Sequence, residues 1–205
     1  MEDKFSPVKG TWTAFTMPAC VNATKALCCI SLLLLLGCSD RKSSFGFELT
    51  GVEARVSGKQ LKVDLAQKIS LSADARTALE NGVPLHLEVR AELDTPGGTI
   101  SSFRRYEIRY MPLSDHFQLS SDQPASVRTF PRLRHALAEL ADIEMILPLE
   151  NIPSGEYQLT ARSWLEKRKL PAPMRLPAWF SPNWKHDSGW QTWPIRIALE
   201  TAPLT

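Results

Sequence analysis

The sequence predicts a mainly β protein, an antiparallel sandwich carrying two short helices. Three observations carry that reading: period-two alternation of apolar and polar residues that recurs through the chain, two segments whose apolar residues step by three and four instead, and a Pro/Gly turn that delivers a tyrosine to the start of a strand. Strict alternation puts one face of a strand in the core and the other in water, as in antiparallel sheets.

The first element in chain order is a leader. Lys25 supplies a positive n-region, Ala26 to Leu36 is an uncharged apolar stretch, and small Gly37 precedes Cys38. A spanning helix needs about 20 apolar residues, and this run is bounded by Thr24 and Lys25 on one side and Asp40, Arg41 and Lys42 on the other. It reads as an export signal. Leu35-Leu36-Gly37-Cys38 resembles the lipobox of bacterial lipoproteins. That resemblance implies that Cys38 receives a diacylglyceryl group and becomes the acylated N-terminus, with residues 1–37 removed as a lipoprotein signal peptide. Met17 is an alternative start that gives a leader of ordinary length. By resemblance to the enterobacterial sorting rule, Ser39 directly after the cysteine favours the outer over the inner membrane.

Cysteine use agrees with export. Cys20, Cys28 and Cys29 lie in or before the leader, so Cys38 alone remains, and its sulfur would carry lipid. No thiol is left for a disulfide, a CxxC pair, a zinc site or a nucleophile. Residues 38–46 read as a polar tether and 47–201 as one domain; a mature chain of about 168 residues is long enough to bury a substantial core. The whole chain has 24 Lys+Arg against 22 Asp+Glu, a near balance that argues against nucleic acid as a partner.

Within the domain, Leu61, Val63 and Leu65 alternate with Lys62 and Asp64. Ser72 to Gly82 then breaks the rhythm as a short helix, with Ser72 as cap, Asp74 in the first turn, Ala75, Ala78 and Leu79 on one side and Gly82 as the stop. Val83 to Leu93 and Tyr106 to Tyr110 alternate again and read as a hairpin. Placing Arg90 opposite Glu107, Glu88 opposite Arg109 and Glu92 opposite Arg105 makes every wet-face pair complementary, with Leu87 by Tyr110 and Val89 by Ile108 on the buried face. That register requires a longer or bulged Pro96-Gly97-Gly98 loop. Pro131 at a first helical position, followed by Leu133, Ala136, Leu137, Leu140 and Ala141, predicts the second helix.

Pro153-Ser154-Gly155-Glu156-Tyr157 leads into a strand ending near Leu165. A tyrosine at that place resembles the tyrosine corner of Greek-key sandwiches, whose phenol bonds the backbone a few residues upstream; an immunoglobulin-like sandwich is the expected fold. Glu166-Lys167-Arg168-Lys169 reads as an exposed basic turn, with contact to anionic headgroups as the alternative. From Leu170 to Pro194 come five prolines and Trp179, Phe180, Trp184, Trp190 and Trp193. The prolines predict an irregular, extended path, either a lid over a sandwich end or a contact surface, with Trp179, Trp184 and Trp190 as its candidate partner residues. Alternation of Trp193, Ile195, Ile197 and Leu199 predicts a last strand with Trp193 largely inaccessible.

Signatures of catalysis are absent: there is no GxSxG, GxGxxG, P-loop, HExxH, CxxC or EF-hand loop. His86, His116, His135 and His186 fall on different elements. His86 and Glu88 share a strand face beside Arg90, a half-neutralised setting that disfavours a metal. Asp115-His116 and His186-Asp187 are adjacent pairs, and both read as loop surface. No catalytic residue, metal or cofactor is expected.

Ala78 to Leu85, Tyr106 to Tyr110, the Pro131 to Leu140 helix, Leu170-Pro171-Ala172-Pro173-Met174, and then Trp184, Ser188, Trp190 and Trp193-Pro194 resemble the domain-of-unknown-function 4390 family of proteobacterial exported proteins. The likeness runs from about Leu49 to Ile195. It implies a one-domain exported protein without assigned activity, and a sensor kinase of the nitrogen-regulation type as a possible envelope partner. The lipobox departs from the ordinary cleavable signal of many relatives. The function expected from all this is a non-enzymatic binding or assembly module, lipid-anchored and periplasm-facing; a small-ligand sensor and a hydrolase with dispersed residues are the alternatives.

Overall fold

The computed structural model describes residues 45–122, 124–149 and 152–198. The leader, Cys38 and the tether up to Ser44 lie outside the described residues. In chain order the domain comprises β1 (Gly46–Ser57), β2 (Gln60–Ser70), α1 (Ala73–Glu80), β3 (Leu85–Thr95), β4 (Gly98–Met111), β5 (His116–Asp122), β6 (Ala125–Phe130), α2 (Leu133–Ala138), β7 (Asp142–Pro148), β8 (Gly155–Leu165), α3 (Ala172–Phe180) and β9 (Gln191–Ile197). One sheet has the order β1-β2-β7 and the other β6-β5-β4-β3-β8-β9, and every pairing is antiparallel.

Alternation places the core. Leu61, Val63 and Leu65 of β2 and Ile143, Met145 and Leu147 of β7 pack with Val89, Ala91 and Leu93 of β3 and Leu159 and Ala161 of β8, all at 3% exposure or less. The two sheets stack here, and each large aliphatic contributes about 1.5–3 kcal/mol by leaving water. A second cluster continues beyond the three-stranded sheet. There Leu85, Leu87, Ile108 and Leu165 are covered by Ala75, Ala78 and Leu79 of α1, Ala136 of α2, Ala178 of α3, Leu170 and Trp184. Tyr106 packs on both clusters and makes them one continuous interior.

Helix α1 forms as its sequence dictates. The Ser72 hydroxyl accepts the Ala75 N–H at 3.2 Å, Asp74 sits in the first turn, and Gly82 ends it at φ +85°, a left-handed turn that glycine takes without strain. Helix α2 is shorter than expected. It starts at Leu133, not at Pro131, and closes at Ala138, so buried Leu140 reaches the core from the following turn.

The β3–β4 hairpin corrects the expected register. Thr95 pairs with Gly98, leaving a two-residue Pro96-Gly97 turn, so Glu88 faces Arg105, His86 faces Glu107 and Arg90 faces Phe103. On the buried side Leu85 meets Ile108 and Leu87 meets Tyr106, displacing the expected Val89–Ile108 and Leu87–Tyr110 pairs. Proline fixes φ for the first turn position and glycine suits the second. The Thr95 hydroxyl also donates to the Gly98 carbonyl at 2.6 Å, and the Thr99 hydroxyl to Asp94 at 2.9 Å. Local turn chemistry, not charge matching, sets the ladder.

The expected extended path after Leu170 is also corrected. Residues 172–180 are helical, with Pro173 in the first turn, where its missing N–H costs nothing, and Pro177 inside a helix too short to lose more than one bond. The segment then returns along β8: the Leu165 N–H donates to the His186 carbonyl at 2.9 Å, Trp164 bridges to Asp187, and β9 pairs with residues 155–161. Tyr157 makes the expected corner, its hydroxyl donating to the Pro153 carbonyl at 2.8 Å.

Candidate functional site

The outer face of the six-stranded sheet carries the even-numbered side chains of β3 and β8. Glu88 and Arg90 lie beside Arg162 and Trp164, because β3 and β8 pair Glu88 with Trp164 and Arg90 with Arg162. Arg105 joins them from β4, opposite Glu88. The segment between β8 and β9, which packs Leu170, Ala178 and Trp184 on the inner cluster, forms a roof at the Trp164 end of this face through the 3₁₀ turns 167–169 and 182–184 and α3. Between floor and roof is a cleft of about 600 Å³, to which the roof adds Lys167, Arg168, Trp179, Lys185, His186 and Asp187.

The floor is a network of charges. Glu88, its side chain 11% exposed, lies 3.4 Å from both Arg90 and Arg105 and so joins two strands beneath the cleft. Arg162 holds Asp187 with a fork of two bonds at 2.9 and 2.5 Å. Burial acts to raise the Asp187 carboxyl, but the Arg162 fork and the Gly189 N–H at 2.9 Å outweigh it and hold the group below its ordinary value. The same fork raises Arg162. The guanidinium groups of Arg90 and Arg162 both lie against the Trp164 ring, at 5.9 and 5.1 Å from its centroid, and Trp190 receives Arg162 at 5.8 Å. Burial lowers the Lys167 ammonium; Asp187 opposes the shift and Lys185 adds to it. Cations outnumber carboxylates around the cleft, with Arg90, Arg105, Arg162, Lys167, Arg168 and Lys185 against Glu88, Glu166 and Asp187.

His186 closes the rear. It is 1% exposed, against the expectation of loop surface, because the returning segment tucks it beneath the rings of Phe45 and Phe47 at 5.4 and 5.7 Å. Its Nε2 accepts the Ser72 N–H at 3.0 Å, so the neutral ring carries its proton on buried Nδ1. Burial pushes its pKa down to about 4. The other histidines stay apart: His86 Nδ1 lies 3.8 Å from Glu107, and His116 Nδ1 contacts the Ser114 carbonyl. Among the described residues no group of three His, Cys, Asp or Glu could hold a metal.

The three expected partner tryptophans do not form one surface. Trp179 is 57% exposed on the cleft rim and Trp190 is 45% exposed over Arg162, whereas Trp184 is 6% exposed and belongs to the core. Trp193, expected inside, is half-buried because β9 is an edge strand. Cys38 lies outside the described residues. Sequence reasoning missed Arg162 and Trp164 as site residues, although their position on the wet face of a strand running into a basic cluster is a usable signal.

This is a β-sandwich with a cationic cleft on its larger sheet. Residues 45–194 match the family described as Domain of unknown function (DUF4390), and the chain belongs to that family. No curated protein and no solved structure matches the chain. Three residues of the Trp-Ser-Trp-Trp-Pro ending have visible roles: Trp184 fills the core, the Ser188 hydroxyl accepts the Ser163 N–H at 2.9 Å, and Trp190 stacks with Arg162.

Proposed function

We propose that this chain is a non-enzymatic binding or assembly module of the cell envelope, held at the periplasmic side of the membrane by a lipid on Cys38, and that its cleft is where it binds. The cleft carries the proposal: a concave site of about 600 Å³ with an excess of guanidinium and ammonium groups and a half-exposed tryptophan at its rim is suited to an anionic group on a partner or ligand. The imidazole within it is committed to Ser72 and the carboxylate to Arg162, which supports binding over catalysis. The same volume favours a small-ligand sensor as the second reading. The sandwich itself reads as immunoglobulin-like on the strength of the Tyr157 corner, and an envelope sensor kinase is the partner class implied by family resemblance.

Two measurements test this. After a high-salt wash, Cys38→Ser should be released from the membrane into the soluble periplasmic fraction while the wild type stays bound, and a variant that survives the wash on the membrane defeats the tether. Photo-crosslinking in intact cells from position 190, half-exposed beside Arg162, with fully exposed Leu113 as control position, should give a discrete adduct that Arg162→Glu abolishes. Equal adducts from both positions, or an adduct indifferent to Arg162, defeat the cleft.

A further inference from the structure

We infer that the roof of the cleft is a membrane-docking face, in which α3 lays Leu176, Trp179 and Phe180 into an anionic bilayer while Lys167, Arg168 and Lys185 engage the headgroup phosphates. The inference rests on the lipid-anchor reading and adds an orientation to it.

The helix is two-sided. Met174 and Ala178, four residues apart, pack on the core. Leu176 and Phe180, also four apart, point away and are 72% and 86% exposed, with Trp179 at 57% beside them. Single exposed apolar residues are ordinary, but three on one short helix make a patch that calls for a partner.

Charge identifies that partner. Lys167, Arg168 and Lys169 stand immediately before the helix and Lys185 shortly after it, and among the described residues none of these four joins an ion pair. The nearby carboxylates are already engaged: Glu166 accepts the Arg168 N–H at 3.0 Å, Asp187 is held by Arg162, and Asp74 accepts from Asn183 at 3.0 Å. An exposed apolar helix face flanked by unpaired cations is the pattern of an interfacial helix on anionic lipid.

The chain's covalent path points the same way. Phe45 packs on His186, the residue after Lys185. A lipid on Cys38 would be joined to Phe45 by residues 39–44 alone, a leash of about 25 Å at full stretch. The proposed anchor therefore keeps the domain within about 25 Å of the bilayer, a reach within which an exposed face can touch lipid.

The test uses the full mature chain carrying Cys38→Ser, so that no acyl group contributes. It should co-sediment with vesicles containing about 30% phosphatidylglycerol in phosphatidylcholine and not with pure phosphatidylcholine, and brominated acyl chains should quench its tryptophan emission. Each cation at an anionic surface is worth about fivefold in partitioning. Lys167→Glu/Arg168→Glu should therefore weaken binding about tenfold or more, and Leu176→Glu/Phe180→Glu should abolish the quenching, both with unchanged melting temperatures because the four side chains lie outside the core. Equal binding to the two vesicle types, or binding indifferent to both pairs of substitutions, overturns the inference. So does a face that crosslinks to a protein while ignoring vesicles. Wild-type protein held at the membrane by its lipid while the Cys38→Ser chain ignores phosphatidylglycerol sinks this inference alone; a chain that binds vesicles yet is never acylated sinks the anchor alone.

Discussion

Acidification should loosen this domain through His186. The neutral ring accepts the Ser72 N–H at 3.0 Å and lies against Phe45 and Phe47. Protonating Nε2 would break that bond and place a cation among aromatic rings near Lys167. Burial, reinforced by Lys167 and opposed by the Trp184 backbone, lowers the pKa to about 4, whereas an unfolded histidine titrates near 6.5. The folded value is the depressed one, so the unfolded chain takes the proton first. His186's contribution is intact above about pH 6.5 and is lost progressively as pH falls toward 4. At pH 5 the loss is about 2 kcal/mol, which for a domain of this size lowers Tm by about 4–8 °C.

The assay is a set of thermal melts at pH 7.5, 6 and 5 on wild type and His186→Gln. Glutamine keeps a carbonyl acceptor within reach of Ser72 and does not titrate, so its curve should lack this part of the decline even though it starts from a lower Tm. Subtracting one curve from the other cancels groups common to both, including His86, whose pKa burial also lowers against the pull of Glu107. Parallel pH profiles for the two proteins would refute the reasoning.

Charge placement on the sheet yields a second expectation: Arg105→Glu should cost about 0.2–1 kcal/mol by facing Glu88, with part of the loss recovered in Glu88→Arg/Arg105→Glu, while a double-mutant cycle on Arg90 and Glu107 should show almost no coupling. Urea titrations measure both. Tyr157→Phe removes the hydroxyl bonded to Pro153 and should cost about 1 kcal/mol with an unchanged m-value. Truncation after Lys169 takes Leu170, Ala178, Trp184 and β9 away together, so the remainder should lose its cooperative melt; an unchanged Tm would mark the segment as an independent tail.

Much of the sheet was legible because alternation is a direct record of burial: β2, β3, β4, β8 and β9 all announced themselves. β1 did not, because a bulge between Leu49 and Gly51 shifts its phase, so that Phe47 and Leu49 face inward from odd positions and Val52, Ala54 and Val56 follow on even ones. β6 is an edge strand with every residue exposed except half-buried Phe130, and it offers no periodicity to read. β7 alternates clearly at Ile143, Met145 and Leu147, but it follows the apolar residues of α2, whose helical spacing dominated the window. The register failed for a different reason. The expected register rests on complementarity across one strand pair, whereas Arg90 takes its partners, Glu88 at 3.4 Å and Glu92 at 3.9 Å, along its own strand.

The cleft was illegible because its floor and roof meet only through the tertiary fold, and that junction governs how the site can work. Arg90 stands directly opposite Arg162, an arrangement that is destabilising when the two charges are left alone. Three groups offset it: Glu88 and Glu92 beside Arg90, the Trp164 ring against both guanidinium groups, and Asp187 on Arg162. The first two sets belong to the floor and are fixed by the sheet. Asp187 belongs to the returning roof segment and reaches Arg162 only while residues 186–188 lie along β8. Displacing the roof would withdraw the carboxylate and uncover the like-charged pair, and an anion in the proposed binding cleft would supply the missing charge. If the cleft binds as proposed, binding beneath the roof would be coupled to its position through one ion pair, so Asp187→Asn should strengthen binding of an anionic ligand in the cleft while it lowers the stability of the free domain.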